Sequence, residues 1–212
     1  IPNDESTRVE FDQGNLLSLS RFPRPDRRER GTLSAVGVTW ARVDPKGWDA
    51  HLAVGQVFRS VFDAEFTDTS GMSGTSSDIL LAGQIRNRAG MSLTARTLVD
   101  SDLQISKAEL RGDWLFRNAS LGGTFVWLET DLVENRPDPI SELSLDGSYD
   151  FRKHWTASAD VRYDIENRRA ATAGLGLTYN NECVSVDLLV RRRYTSSTSV
   201  EPSTDIGFNI GL

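Results

Sequence analysis

The sequence predicts an all-β protein, an antiparallel transmembrane β-barrel of which this chain is a C-terminal fragment of about eleven strands. From Gly31 to the end, segments of alternating apolar and polar residues follow one another with turns between them. These segments run to about ten or twelve residues, which is long for soluble domains and suits a tilted crossing of hydrocarbon. No apolar run approaches the roughly 18 residues that a membrane-spanning helix needs.

Residues 1–31 are the least regular part of the chain, and residues 32–212 hold the predicted barrel strands. Pro2, Pro23, Pro25 and the charged run 26–30 interrupt any periodic pattern, so we predict a strand piece followed by a long loop. No signal peptide precedes Ile1, whereas an exported barrel requires one. We therefore expect the chain to be part of a longer precursor.

The first four strands form two predicted hairpins. Residues 44–47 supply the turn of the first hairpin, and Ala89-Gly90 supply the turn of the second. A long loop of small and polar residues, 63–77, separates them. One face of these strands is apolar and carries Val36, Val38, Trp40, Leu52, Val54, Phe58, Ile79, Leu81, Ile85, Met91, Leu93, Ala95 and Val99.

The remaining seven strands repeat the alternation. Residues 155–166 alternate without a break, since Trp155, Ala157 and Ala159 are followed by polar residues in each case. Turns are predicted at 117–119, at Lys153-His154 and at 180–182. The predicted strands are 33–43, 48–62, 79–88, 91–99, 105–116, 120–130, 140–152, 155–166, 171–179, 184–194 and 205–212.

Strict alternation also fits a soluble sandwich, so the choice of a membrane barrel depends on three further features. Aromatic residues lie near strand ends, as in the interfacial girdles of outer-membrane barrels. Short turns alternate with longer loops, as they do at the two ends of an outer-membrane barrel. The polar face carries charges that a small soluble core could not bury without a large desolvation cost, namely Arg86, Arg88, Arg96, Arg111, Asp113, Asp160 and Arg162.

Composition excludes several classes of function. The net charge is -6 and the pI is near 5.0, whereas a nucleic-acid partner usually requires a basic patch. His51 and His154 are the only histidines, and neither has metal-ligand or triad spacing. No serine lies in a nucleophile motif. We therefore expect no enzyme activity and no cofactor.

Several short motifs occur in a fixed order along the chain. In order and spacing they resemble the C-terminal barrel region of the LPS-assembly family LptD, and the resemblance spans nearly the whole chain. The opening motifs are the most specific. The motifs are Ile1-Pro2-Asn3-Asp4-Glu5-Ser6, Phe11-Asp12, Asn15-Leu16-Leu17, Arg21-Phe22-Pro23, Asp26-Arg27, Gly55-Gln56-Val57-Phe58-Arg59, Glu182-Cys183 and Arg192-Arg193-Tyr194-Thr195.

The resemblance implies an outer-membrane translocon that receives lipopolysaccharide from periplasmic bridge proteins and inserts it into the outer leaflet. A plug lipoprotein of the LptE type would sit inside the full barrel. The strand 205–212 would form one side of a lateral gate, with Ile206, Gly207, Phe208, Ile210 and Gly211 as its candidate residues. The two glycines suit a weakly held seam, or they merely relieve crowding in the lumen.

The resemblance also implies that Cys183 pairs with a cysteine outside this chain, since no second cysteine is present. A loop rich in apolar residues is usually held over the barrel mouth or inside it. The candidate residues of this plug loop are Asn15, Leu16, Arg21, Phe22, Asp26 and Arg27. The candidate lumen charges are Arg86, Arg96, Arg111, Asp113, Asp160 and Arg162, which either contact phosphorylated lipid or the plug lipoprotein, or compensate one another.

The alternative function is a passive outer-membrane pore or structural barrel. Steady ion conductance of the complete protein without a plug lipoprotein would favour the pore. A compact monomer without detergent would favour a soluble sandwich.

Overall fold

Eleven β-strands occupy the residues that the computed structural model describes, which are 11–18, 29–62, 66–134, 136–195 and 201–211. They confirm the predicted all-β class and the predicted number of strands. One short 3-10 helix, Asp68–Ser70, is the only helical element in these residues. The strands are β1 (Leu33–Asp44), β2 (Trp48–Arg59), β3 (Ile79–Asn87), β4 (Met91–Val99), β5 (Ile105–Leu115), β6 (Ala119–Leu128), β7 (Ile140–Arg152), β8 (Trp155–Asp164), β9 (Arg169–Asn180), β10 (Ser185–Arg193) and β11 (Ser203–Gly211).

The strands form one sheet in which each strand pairs with its neighbours in sequence, from β1 to β11. This meander is the connectivity of outer-membrane barrels, in which every strand is antiparallel to the next. Within the described residues β1 and β11 are the edges of the sheet, and each pairs on one side only. No helix in the described part of the chain has the length and apolar character for a membrane span.

Strand bounds agree with the alternation pattern to within three residues. The bounds of β4 and β7 match the predicted 91–99 and 140–152. Strand β2 ends at Arg59, three residues before the predicted end. At this end the Arg59 amide donates to Thr75 O, so the loop that follows folds back and pairs with the end of the strand.

The apolar face of the sheet is exposed. Val38, Leu175 and Ile206 on this face are 71%, 66% and 76% accessible. A water-soluble protein rarely leaves so large an apolar surface uncovered. Lipid covers such a band in a membrane barrel, so the predicted barrel is favoured over the soluble sandwich.

The chain divides into two compact units. The first comprises Ile1–Arg86, Leu93–Leu110 and Val126–Ile140, and the second comprises Asn87–Ser92, Arg111–Phe125 and Ser141–Leu212.

The first unit contains a dry cluster on the polar face, which the sequence did not predict. Strand residues Val57, Leu80 and Leu98 interrupt the polar pattern there, and loop residues cover them. The cluster consists of Phe11, Leu16, Val57, Phe66, Met72, Leu80 and Leu98. In the described part of the second unit, Ala171 is the one buried apolar side chain.

Candidate functional site

The plug-loop residues Asn15 and Leu16 lie in a tight turn, residues 11–18. Asp12 Oδ1 accepts hydrogen bonds from the amides of Gly14 and Asn15 at 2.8 and 3.0 Å. Asn15 Oδ1 accepts the Asp12 amide in return, at 3.0 Å. These reciprocal side-chain caps fix the turn locally. Arg21, Phe22, Asp26 and Arg27 lie outside the described residues.

Leu16 is 3% exposed and is seated on a pair of glycines. Gly37 and Gly55 are direct partners in the β1–β2 register. A β-carbon at Gly37 would lie 2.7 Å from Leu16 Cδ2, and one at Gly55 would lie 2.8 Å from Leu16 Cδ1. Only glycine therefore allows the leucine to reach the backbone of the sheet at this point.

An ionic contact also holds the turn to the sheet. Arg96 on β4 lies 3.9 Å from Asp12 and 3.7 Å from Glu109. The guanidinium thus joins the turn to both β4 and β5. Such contacts are worth little when exposed, so the buried Phe11 and Leu16 provide most of the stabilisation.

All six predicted lumen charges have a counter-ion. Arg111 is the most connected, with Asp113 at 2.6 Å and Asp146 at 3.5 Å. In the first unit Arg86 pairs with Asp49 at 2.7 Å. In the second, Asp160 pairs with Arg191 at 3.3 Å and Arg162 with Glu142 at 3.8 Å. This arrangement favours the interpretation that the charges of the polar face neutralise one another, over the interpretation that they are free to bind a ligand.

Glycines on the polar face of the second unit make room for these charges. A β-carbon at Gly122 would lie 2.6 Å from Asp146 and 2.9 Å from Arg111. Gly174 lies in the same way beneath the Asp160 carboxylate. The charged side chains therefore lie flat across the neighbouring strands.

The candidate gate strand β11 differs from these strands. Ile206, Phe208 and Ile210 on its apolar face are 76%, 62% and 55% exposed. A β-carbon at Gly207 would meet Leu189 at an ordinary 3.7 Å, and one at Gly211 would meet Ser185 at 3.7 Å. Crowding within the described residues therefore does not require these two glycines.

Cys183 is a free, exposed thiol in the turn between β9 and β10. Asn181 Oδ1 fixes this turn by accepting the amides of Cys183 and Val184 at 2.9 and 2.8 Å. The predicted disulfide to a cysteine outside the chain remains a prediction.

Sequence reasoning missed a polar cluster that joins two loops. Asp131 is 4% exposed, and its carboxylate accepts hydrogen bonds from Thr69 Oγ1 at 2.7 Å and from the Thr69 amide at 3.3 Å. The amides of Val133 and Glu134 donate to its other oxygen at 2.9 and 3.1 Å. Asp131 and Thr69 are 62 positions apart in the sequence, so no local pattern signals this contact.

The Asp131 contact is expected to persist into mild acid. Burial by itself would raise the pKa of Asp131, but the hydrogen bonds from Thr69, Glu134 and Val133 outweigh it and hold the pKa below its ordinary value of 3.8. Because the folded pKa is the lower one, the stabilisation is complete above 3.8 and is lost as the pH falls toward the folded value. Amide exchange at Thr69 should therefore remain protected until the pH falls below 3.8. Faster exchange already near pH 6, where free carboxyls are still ionised, would contradict the expectation.

The described residues contain no group of three or more His, Cys, Asp or Glu that could hold a metal ion. The candidate features that the structure does describe are the charged wall of the polar face, the docked turn 11–18 and the edge strand β11.

Comparisons with known proteins agree with the sequence motifs. The family model "LptD: LPS transport system D" matches residues 1–155. The LPS-assembly protein LptD of Nitrosomonas eutropha is 24% identical over 216 residues, covering 100% of this chain and 28% of that protein. A solved mutant of the Rh. blastica porin covers 83% of this chain and 79% of its own, with 12% identity and a TM-score of 0.43.

The chain therefore spans 28% of the length of the curated relative that it matches. The family model covers the first seven strands, and the curated relative extends over the remainder. Together with the antiparallel sheet and its exposed apolar face, these matches establish that the chain is an outer-membrane β-barrel segment and belongs to the LptD family.

Proposed function

We propose that this chain forms part of a translocon that inserts lipopolysaccharide into the outer leaflet, with β11 as one side of a lateral gate. Membership of the LptD family is the observation that carries the transport function. The partners expected with it are an LptE-type plug lipoprotein inside the barrel and periplasmic bridge proteins that deliver the lipid. No catalytic chemistry is required of this chain.

The gate assignment comes from the resemblance to the LptD family, which implies that the strand 205–212 borders the seam. The nine register pairs of β11 with β10 are its only strand pairing among the described residues. An unpaired strand edge is costly in lipid, so a closed barrel must pair the other edge of β11 with a further strand. A seam between strands distant in sequence is the natural place for a barrel wall to part.

A photocrosslinker at Phe208 or Ile210 in the intact protein tests the gate. We expect adducts with newly made, pulse-labelled lipopolysaccharide at short times. Val161 is the matched control, because the β8 position also lies on the apolar face but away from the edge. Equal labelling at Val161 would show ordinary contact with the outer leaflet and would contradict the gate.

The glycine at position 207 gives a second test. Gly207→Ala should fit, since a β-carbon there meets Leu189 at 3.7 Å. Replacing glycine in a strand stabilises it by about 0.5–1 kcal/mol, which is about a two- to fivefold change in an equilibrium. We expect slower amide exchange across β10–β11 and about two- to fivefold slower delivery of lipopolysaccharide. Slower exchange with unchanged delivery would argue that this seam does not open during transport.

A further inference from the structure

In the first unit, polar contacts join two loops that lie at the same end of the strands. The cap loop, residues 66–78, follows β2, and the latch loop, residues 129–139 of which 135 is not described, follows β6. The Thr69 hydroxyl lies at their junction. It donates to Asp131 Oδ2 and accepts from Arg136 Nη2, both at 2.7 Å.

The latch loop is shaped to present this junction. The backbones of Asp131 and Arg136 exchange two hydrogen bonds of 2.7 Å and close the loop on itself. Arg136 also pairs with Glu134 at 3.2 Å, and Glu134 accepts the Thr67 hydroxyl at 2.9 Å. The hydrogen bonds that join the two loops among the described residues therefore all involve Thr67 or Thr69 on the cap loop.

The cap loop is held by a different set of contacts. The Ser77 amide donates to Val57 O at 2.7 Å, and Arg59 donates to Met72 O. Met72 is fully buried in the dry cluster, and Phe66 is 5% exposed. The cap loop is thus anchored to β2 by both backbone bonds and apolar burial.

The described residues of the latch loop include no comparable apolar anchor. Leu132 and Val133, at its tip, are 78% and 77% exposed. Its attachment to the cap loop therefore depends on the buried carboxylate of Asp131, whose four donors would each lose an acceptor if the carboxylate were removed.

We propose that the cap loop and the latch loop act as one lid, locked by Asp131, which seals the inner face of the first unit against passage of hydrophilic solutes. A barrel lumen is polar and conducts small solutes unless something blocks it. Here the block is the dry cluster with the cap loop anchored on it, and the Asp131 contacts join the latch loop to the cap loop so that the two cover this face together. The proposal depends on the barrel fold and not on the lateral gate.

The test uses the full-length protein with its partners. Asp131→Asn keeps the size of the side chain but cannot accept from all four donors. We expect amide exchange at Thr69 to rise about ten- to a hundredfold, the usual effect of losing a hydrogen bond to a charged group. Ion conductance in planar bilayers and uptake of a large hydrophilic antibiotic by cells should rise with it.

Two further variants keep the test decisive if Asp131→Asn folds poorly. Thr69→Val removes the hydroxyl of this junction with little change in shape, and should likewise raise amide exchange at position 69, ion conductance and antibiotic uptake. Asp138→Asn is the matched control, because no hydrogen bond of that carboxylate is seen among the described residues. Unchanged Thr69 exchange in folded Asp131→Asn would overturn the lock.

If Asp131→Asn speeds amide exchange at Thr69 but leaves ion conductance at the wild-type level, the two loops do not block the passage of solutes. Delivery of lipopolysaccharide is measured in the same strains. A rise in conductance with normal delivery of lipopolysaccharide supports the lid independently of the gate. A negative result in the gate experiments would not change this conclusion.

Discussion

Leu175→Arg is expected to destabilise the folded protein by about 2–4 kcal/mol, the cost of an arginine on the lipid face near the bilayer midplane. Leu175 lies in the middle of the twelve-residue β9 and is 66% exposed. Its register partners are Ala159 and Val190, which also lie on the apolar face. An arginine there has no counter-ion within the sheet and must displace acyl chains or draw water into them.

The matched control is Thr178→Arg on the same strand. Thr178 lies on the opposite, polar face and donates to Asp187 at 2.8 Å, so an arginine at this position finds a carboxylate and water. Urea unfolding of the full-length protein in lipid bilayers gives both free energies. Comparable loss of stability in the two variants would mean that the two faces do not experience different solvents.

Alternation predicted the strands because a period of two is a local property of the sequence. Strands β4 and β7 begin and end as predicted. The largest error, at the end of β2, arose where a loop returned to bond the strand. Similarly, β8 ends at Asp164, two residues early, because the Asp164 carboxylate accepts the Asn167 amide at 3.0 Å and starts a turn.

The residues that fill the polar face could not be placed from the sequence. Leu16 needs two glycines opposite each other, and Gly37 and Gly55 become partners only through the register of β1 and β2. Alternation also assigned the whole polar face to water. The buried Val57, Leu80 and Leu98 show that loops supply the missing apolar partners in the first unit.

The charged residues were easier to predict as a set than as individuals. Side-chain parity placed Arg111 and Asp160 on one face, but Asp146 and Arg191, which pair with them, come from strands two positions away in the sheet. Asp146 and Asp160 are direct register partners, an unfavourable pairing of like charges. Arg111 lies beside one carboxylate and Arg191 beside the other, and this compensation requires knowledge of four strands.

Gly55→Ala is expected to expel Leu16 from its seat and to destabilise the first unit by about 2 kcal/mol, the usual value of burying a leucine side chain. The new methyl group would lie 2.8 Å from Leu16 Cδ1 and 3.0 Å from Val36 O. The backbone of a paired strand cannot move away, so the leucine must leave. The caps between Asp12 and Asn15 do not involve Leu16, and the turn should therefore survive as a unit while its docking fails.

A double-mutant cycle separates this mechanism from strain within the strand itself. Leu16→Ala leaves a cavity and should cost about 2–5 kcal/mol, but it also removes the atoms with which the new methyl would clash. Adding Gly55→Ala to Leu16→Ala should then have little further effect, which is a strong departure from additivity. Unfolding free energies of the four proteins supply the cycle.

Gly207→Ala serves as the control for introducing alanine at a glycine of the polar face. Its β-carbon would meet Leu189 at 3.7 Å, an ordinary contact, and it should leave the first unit unchanged. If Gly55→Ala cost the same in the presence and absence of the leucine side chain, the glycine pair would serve the strands alone. The dependence on Leu16 is therefore the decisive measurement, because only a seated side chain makes the two positions energetically coupled.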